Sequence, residues 1–393
     1  MTMTIGLAGK PNAGKSTFFK AATMADVEIA NYPFTTINAN KGVTYVRAEC
    51  PCVERSKRCG HCVEGIRYVP IEMIDVAGLV PDAHQGRGLG NTFLDELRQA
   101  QAIIHVIDAS GGTDVEGNPV DVGEHNPMDD VDFLNREITM WMFGILKRNW
   151  DRLARKIQAE GLKIEKVLSE QLAGAGVDEY HVICSLSECK LDHNHVKWSD
   201  DDLVRLCDGI RIMSKPMIIA ANKADVAPGG FVSDLQSLEQ IVVPTSAAAE
   251  LALKSASKSG AIKYDPGDDD FSIIKEDLTP AQKKGLENVH ALLEKMGGTG
   301  IQDCINRSVF ELLDLIIVYP VEDEGKWTDK NDRMLPDAFL MKRGSNAHDL
   351  AYKVHSDIGE SFLYAVDAKT KMRLGEKHEL KDGDVVKIVS TAK

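Results

Sequence analysis

The residues best equipped for chemistry stand at the start of the chain. Gly9-Lys10-Pro11-Asn12-Ala13-Gly14-Lys15-Ser16-Thr17 matches the phosphate-cradling pattern G-x-x-x-x-G-K-[ST] in full. Gly9 and Gly14 let the backbone curl so that successive N–H groups face phosphate oxygens. Lys15 adds a point charge for the outer phosphates, and Ser16 a hydroxyl for Mg²⁺. Asp75-Val76-Ala77-Gly78 follows an apolar run, a spacing that lets a carboxylate hold a metal-bound water and the Gly78 amide meet a γ-phosphate. Asn222-Lys223-Ala224-Asp225 follows another such run. The Asp225 carboxylate can accept both the N1–H and the 2-amino group of guanine, a pair that adenine does not present. After Thr245, the amides of Ser246, Ala247 and Ala248 can meet guanine O6. Between the first two motifs, Asn31-Tyr32-Pro33-Phe34-Thr35-Thr36 lies where a segment reaches over a nucleotide. One of its two threonines can give a hydroxyl to Mg²⁺, and spacing selects Thr36. Each motif alone could be an ordinary turn, but their fixed order makes a nucleotide site the reading.

The elements that must position these groups are legible around them. Ile5–Ala8 reads as a buried strand, and Thr17–Met24 as a helix whose positive N-terminus faces the phosphates. Further strands are expected over 42–46, 66–74, 103–107 and 215–221. From Asp132, Leu134, Ile138, Trp141, Met142, Ile145, Trp150, Leu153 and Ile157 recur at helical steps, which predicts one arm of a helical hairpin. Between Lys147 and Lys166 this arm carries seven basic and three acidic residues. A solvated face is the plainer explanation and an RNA-facing patch the other. His193 and His195 read as surface residues. A strand at 315–319, followed from Ala338 by a strand, helix, strand, strand pattern, predicts a small mixed module of the β-grasp kind.

Composition sets the outer bounds. The chain has 393 residues, 43% apolar and 27% charged, which places it among globular proteins of two or three domains. Nothing suggests a membrane span, and no basic-then-apolar leader precedes the first strand, so a cytoplasmic protein is expected. A net charge of −14 opposes nonspecific nucleic-acid binding by the whole body and confines any RNA contact to local patches. Cys50, Cys52, Cys59 and Cys62 form a C-x-C-x₆-C-x₂-C knuckle. Four thiolates suit a structural, tetrahedral Zn²⁺, and a reduced metal-free hairpin is the alternative.

Water activation calls for its own account, because the position after D-x-x-G is Leu79, whose side chain cannot hydrogen-bond. Asn12, whose carbonyl could help hold a monovalent cation, and His84, in the segment from Leu79 to Gly90, are the available polar groups.

The loop GKPNAGKST, the segment NYPFTT, the run DVAGLVPDAHQGRGLGN, the quartet NKAD and the β-grasp tail together resemble the Obg-related GTPases, in the YchF or Obg-like ATPase branch with a C-terminal TGS domain. That resemblance implies an α/β fold: a doubly wound P-loop G domain, a coiled-coil-like helical insertion and the TGS domain. The expected divisions are G domain 1–131 (with the knuckle near 50–62), insertion 132–199, G domain 200–314 and TGS 315–393. It also implies ribosome or rRNA association through the insertion and TGS domain, a monomer, and K⁺ as the cation at Asn12. Many members of the branch lack a good N-K-x-D and prefer ATP. Here Asn222, Lys223 and Asp225 are intact, which favours GTP and GDP. The expected function is a GTP-hydrolysing switch. The alternatives are an ATP-preferring hydrolase and a nucleotide-gated ribosome-binding module with negligible turnover. The catalytic set is Lys15, Thr36, Gly78 and His84, with Ser16, Thr36 and Asp75 around Mg²⁺.

Overall fold

A computed structural model describes residues 3–23, 40–55, 57–76, 78 and 96–391. Thr35, Thr36, Leu79 and His84 lie outside the described residues. The chain divides into two compact units, the second formed by Tyr45–Ile71 together with the chain from Ile305 onward.

The larger sheet has strands β1 (Thr4–Ala8), β2 (Lys41–Glu49), β3 (Cys62–Val63), β4 (Ile66–Asp75), β5 (Ala102–Asp108), β6 (Met217–Asn222) and β7 (Val242–Thr245), in the order β2-β4-β1-β5-β6-β7 with β3 paired to β4; β1, β5, β6 and β7 lie wholly in the first unit, and β3 in the second. Pairings of β1 with β4 and β5, of β5 with β6 and of β6 with β7 are parallel. Every residue of β1, β5 and β6 is buried, as continuous apolar strands covered on both faces must be. Because β4 lies on one side of β1 and β5 on the other, the winding reverses at β1. The carboxyl end of such a strand is where open α/β sheets bind ligands. The phosphate loop sits there, between β1 and the helix Lys15–Thr23. Strands β8 (Ile262–Lys263) and β9 (Ser272–Ile273) form a small hairpin beyond the last motif.

The helical insertion differs from the expected hairpin. Five helices fill 127–214: Pro127–Lys147, Trp150–Glu160, Ile164–Leu172, Glu179–Cys189 and Asp200–Ser214. The first begins before the apolar periodicity does, because the Asn126 side chain accepts from the Met128 N–H and Pro127 opens the first turn. It stops at Asn149, whose backbone (φ −130°, ψ 10°) leaves the helical region. Gly161 then closes the next helix in the left-handed conformation that glycine adopts without a Cβ penalty. The turn at Asn149 lets Trp150 stack on Trp198, centroids 5.3 Å apart and planes 11° from parallel. Leu134, Ile138, Met142, Leu146, Trp150 and Ile157 are all buried, so the periodicity did mark the apolar face. Among the described residues no helix is long and apolar enough to cross a membrane.

In the second unit, β10 (Leu315–Val321), β11 (Phe339–Lys342), β12 (Phe362–Asp367), β13 (Arg373–Leu374) and β14 (Asp384–Ser390) form a mixed sheet ordered β11-β10-β14-β12-β13. The helix Ala347–Val354, capped by Asn346, places Ala347 and Leu350 in a core with Ile316, Val318, Ala365 and Val386. This is the predicted β-grasp pattern.

Candidate functional site

Gly9 and Gly14 carry positive φ, +150° and +97°, and no side chain would fit at either. A Cβ at Gly9 would lie 2.3 Å from the Val106 oxygen, and one at Gly14 2.2 Å from Asn222 Nδ2. Pro11, Asn12 and Ala13 complete the curl, with Asn12 itself left-handed at φ 58°. The Lys15–Thr23 helix starts at once, the Phe18 N–H reaching the Gly14 oxygen at 2.9 Å, so its free N–H groups and positive dipole end serve the cradle. Thr17 continues that helix.

Lys15 is only 8% exposed, and burial holds its ammonium below the ordinary value of 10.5, partly offset by the Asp75 charge. Ser16 Oγ donates to Asp75 Oδ2 at 3.2 Å. Burial pushes the Asp75 carboxyl up against the opposing effects of Lys15 and Ser16, and among the described residues its buried Oδ1 has no hydrogen-bond partner. An orphaned carboxylate oxygen beside a serine hydroxyl is a donor pair fit for a hard divalent cation and its waters, and the Lys15 ammonium is left for the phosphates. Gly78 returns to the same place, since a Cβ there would be 3.3 Å from Pro11 and 3.4 Å from Lys15 Nζ.

The Asn222–Asp225 quartet is fastened to this loop. Buried Asn222 donates from Nδ2 to the Ala13 oxygen at 2.9 Å, and its Oδ1 accepts from the Ala247 N–H at 3.1 Å. Lys223 Nζ reaches the Asn12 oxygen at 3.1 Å and Asp108 Oδ2 at 2.8 Å. Asp225 is exposed at the end of the quartet. Ser246 caps the following helix by accepting from the Ala249 N–H, and its own N–H donates to the Thr299 oxygen at 2.9 Å. The Ser246 and Ala247 amides are therefore engaged within the protein, while Ala248 is exposed.

Supporting residues such as Asp108, Asp130 and His105 escaped the sequence reading, and Lys10 and Asn12, which it named, make contacts it did not foresee. Lys10 is buried and engaged, with Nζ 2.8 Å from the Thr113 oxygen and 2.9 Å from Asp130 Oδ2. What it can offer a phosphate is its backbone. Asp130 also takes His125 at 2.8 Å. Removing one partner of such a buried pair costs about 3–5 kcal/mol, because the other charge is stranded. Asp108 is fully buried, and although burial opposes it, hydrogen bonds from Lys223 and Ser110 hold its carboxyl below the usual range. Asn12 Nδ2 donates to the Gly117 oxygen at 2.9 Å, which leaves Oδ1 as the free end of that amide. His105, in register with Ala8, is drawn down to about 3 by burial and then by Lys10 and Lys15, so it stays neutral beneath the loop. The only sequence signal for this layer was the run Asp108-Ala109-Ser110-Gly111-Gly112-Thr113 directly after a buried strand. In the second unit the four cysteines of the knuckle are also brought together, their Sγ atoms within 4.8 Å of one another.

Comparison with known proteins identifies the family and its domains. Residues 4–135 match the family described as 50S ribosome-binding GTPase, residues 220–323 the Obg-like GTPase YGR210-like, G4 motif-containing domain, and residues 332–390 the TGS domain. An uncharacterized GTP-binding protein of Methanocaldococcus jannaschii is 51% identical over 399 residues, covering 99% of each chain. The crystal structure of a GTP-binding protein from Pyrococcus horikoshii is 42% identical, with a TM-score of 0.79 over 99% of this chain and 100% of that one. The ribosome-binding ATPase YchF of Bacillus subtilis is 26% identical over 98% of both chains.

Proposed function

This chain belongs to the Obg-like GTPases of the YchF lineage, and we propose that it is a GTP-preferring hydrolase whose nucleotide state gates docking to the ribosome. The observation that carries the nucleotide reading is the double fastening of the base-reading quartet onto the phosphate loop, Asn222 to Ala13 and Lys223 to Asn12. That fastening fixes the distance between the phosphate cradle and exposed Asp225, which is what lets one rigid ligand be read at both ends. The assignment gives guanine N1–H and the 2-amino group to Asp225. With the Ser246 and Ala247 amides engaged, it gives O6 to the Ala248 N–H.

In this reading Lys15 places its charge against the outer phosphates, and the N–H groups of residues 13–17 hold the phosphate oxygens in a water-poor cradle. Ser16, Asp75 and Thr36 would hold Mg²⁺, which when bound neutralises charge on the β- and γ-phosphate oxygens. The Gly78 amide meets the γ-phosphate. Leu79 provides no polar group, so His84 is assigned to position the attacking water and Asn12 Oδ1 to hold K⁺ beside the phosphates.

The ribosome arm of the proposal rests on two facts. Lys147, Arg148, Arg152, Arg155, Lys156, Lys163 and Lys166 are all exposed on the insertion of an otherwise acidic protein, and the Bacillus subtilis relative is named a ribosome-binding ATPase. That relative's name also supports ATP as the second reading for the nucleotide. The proposed workplace is the cytoplasm, with the protein acting as a monomer. Ribosome pelleting with a nonhydrolysable GTP analogue or GDP, across a salt series, tests the gate. The analogue should carry more protein into the pellet, with binding falling as salt rises. Equal pelleting in both nucleotide states would refute it.

A further inference from the structure

We propose that Cys50, Cys52, Cys59 and Cys62 hold one zinc ion, and that this ion braces the irregular loop of the C-terminal domain. Sγ–Sγ distances are 3.7 Å for Cys50 and Cys59, 3.5 Å for Cys52 and Cys62, and 3.5 Å for Cys59 and Cys62. Four thiolates at tetrahedral Zn–S bonds of about 2.3 Å stand roughly 3.8 Å from one another, close to what is observed. A disulfide needs about 2.05 Å, and all four cysteines are free. Cys50, Cys52 and Cys59 are buried, so the sulfurs face one another and not solvent.

The backbone is arranged to converge them. Cys50 donates its N–H to the Gly65 oxygen at 2.8 Å, the turn Pro51–Glu54 swings Cys52 inward, and the β3–β4 hairpin pairs Cys62 with Arg67. The His61 N–H points at Cys59 Sγ at 3.3 Å, a donor contact that stabilises negative charge on a metal-bound thiolate. Val53, the large aliphatic residue of the turn, is 59% exposed and so adds little buried apolar packing to the knuckle. Four sulfurs complete the coordination shell and leave no open position, so the ion's work is structural.

What the knuckle supports is also visible. Arg55 lies over the Trp327 ring at 4.3 Å, and Arg67 donates to the Leu335 and Pro336 oxygens at 3.0 and 2.9 Å. The loop so gripped holds Trp327, Asp332 and Leu335 at positive φ, a conformation that costs non-glycine residues of order 1–3 kcal/mol each and persists only where the surroundings enforce it. Metal binding at the cysteines fixes the two arginines that do the enforcing.

The test uses the full chain purified without chelator. Elemental analysis should find about one zinc per chain, and replacement by Co²⁺ should give the visible charge-transfer and d–d bands of a tetrahedral four-sulfur site. Stripping the metal should make the 323–337 loop several-fold more sensitive to protease, with zinc restoring protection, while Cys59→Ser should lose the metal. Less than about a tenth of an equivalent of metal with all four thiols reactive, or iron in place of zinc, overturns the site. Zinc that leaves with no change in loop protection overturns the bracing role.

Discussion

Asn222 Nδ2 donates to the main-chain oxygen of Ala13 at 2.9 Å, so a residue of the base-reading quartet is a structural member of the phosphate loop 209 positions earlier in the chain. Asn222→Ala strands the Ala13 oxygen and the Ala247 N–H in a buried setting, at about 1–3 kcal/mol for each unsatisfied group. The expected result is a loss of roughly ten- to a hundredfold in affinity that is the same for GTP and ATP, with a lowered melting temperature. Calorimetric titration with both nucleotides checks it. A loss confined to GTP would mean that Asn222 reads the base instead of bracing the loop.

Lys215 offers a pH test of the fold. Its buried Nζ donates to the Leu97 and Ala100 oxygens, each at 3.0 Å, and burial brings its ammonium from 10.5 down to about 8. Below pH 8 the residue is charged in both the folded and unfolded chain, and the burial penalty is fully present. Between about 8 and 10.5 the unfolded chain binds more protons, so this residue's contribution to stability rises with pH, by as much as about 3 kcal/mol across the window. Urea unfolding of wild type and Lys215→Met from pH 7 to 10.5 should show the difference moving in favour of wild type as pH rises. A difference that stays flat would contradict the assignment.

Turnover carries the prediction for water and cation. K⁺ in place of Na⁺ should raise the hydrolysis rate several-fold, and Asn12→Ala should remove that dependence with GDP affinity nearly unchanged. His84→Ala should lower kcat without weakening nucleotide binding, as expected of a group that acts only in the transition state. Equal rates in the two salts together with an active His84→Ala variant would transfer the missing group to a partner acting in trans.

How much of this was legible in the sequence follows from how local each feature is. The phosphate loop and the quartet were readable because their chemistry is set by covalent spacing, with Gly9, Gly14, Lys15 and Asp225 each demanded by type. Asp108, Thr113 and Asp130 were not, since what matters about them is contact with Lys223 and Lys10 across roughly a hundred positions or more of chain. In the insertion the apolar period located the core face, but Asn149 and Gly161, which break the arm, carry no periodic signal. The knuckle's ligand spacing was visible. Its place in the C-terminal unit was not, because that depends on Arg67 meeting Leu335 and Pro336 some 270 residues later.

Base preference is the most direct test of the central claim, since the Asp225 carboxylate is the side chain on which the guanine reading rests against the adenine one. Affinities for GTP, ATP and xanthosine triphosphate should be measured side by side on wild type and Asp225→Asn. A hydrogen bond to a charged carboxylate is worth about 1.5–3 kcal/mol, so wild type should favour GTP over ATP at least tenfold, and Asp225→Asn should lose GTP and gain xanthosine triphosphate. Wild-type protein that binds ATP as tightly as GTP, with Asp225→Asn indifferent to the base, would contradict the account and make this chain an ATPase of the same fold.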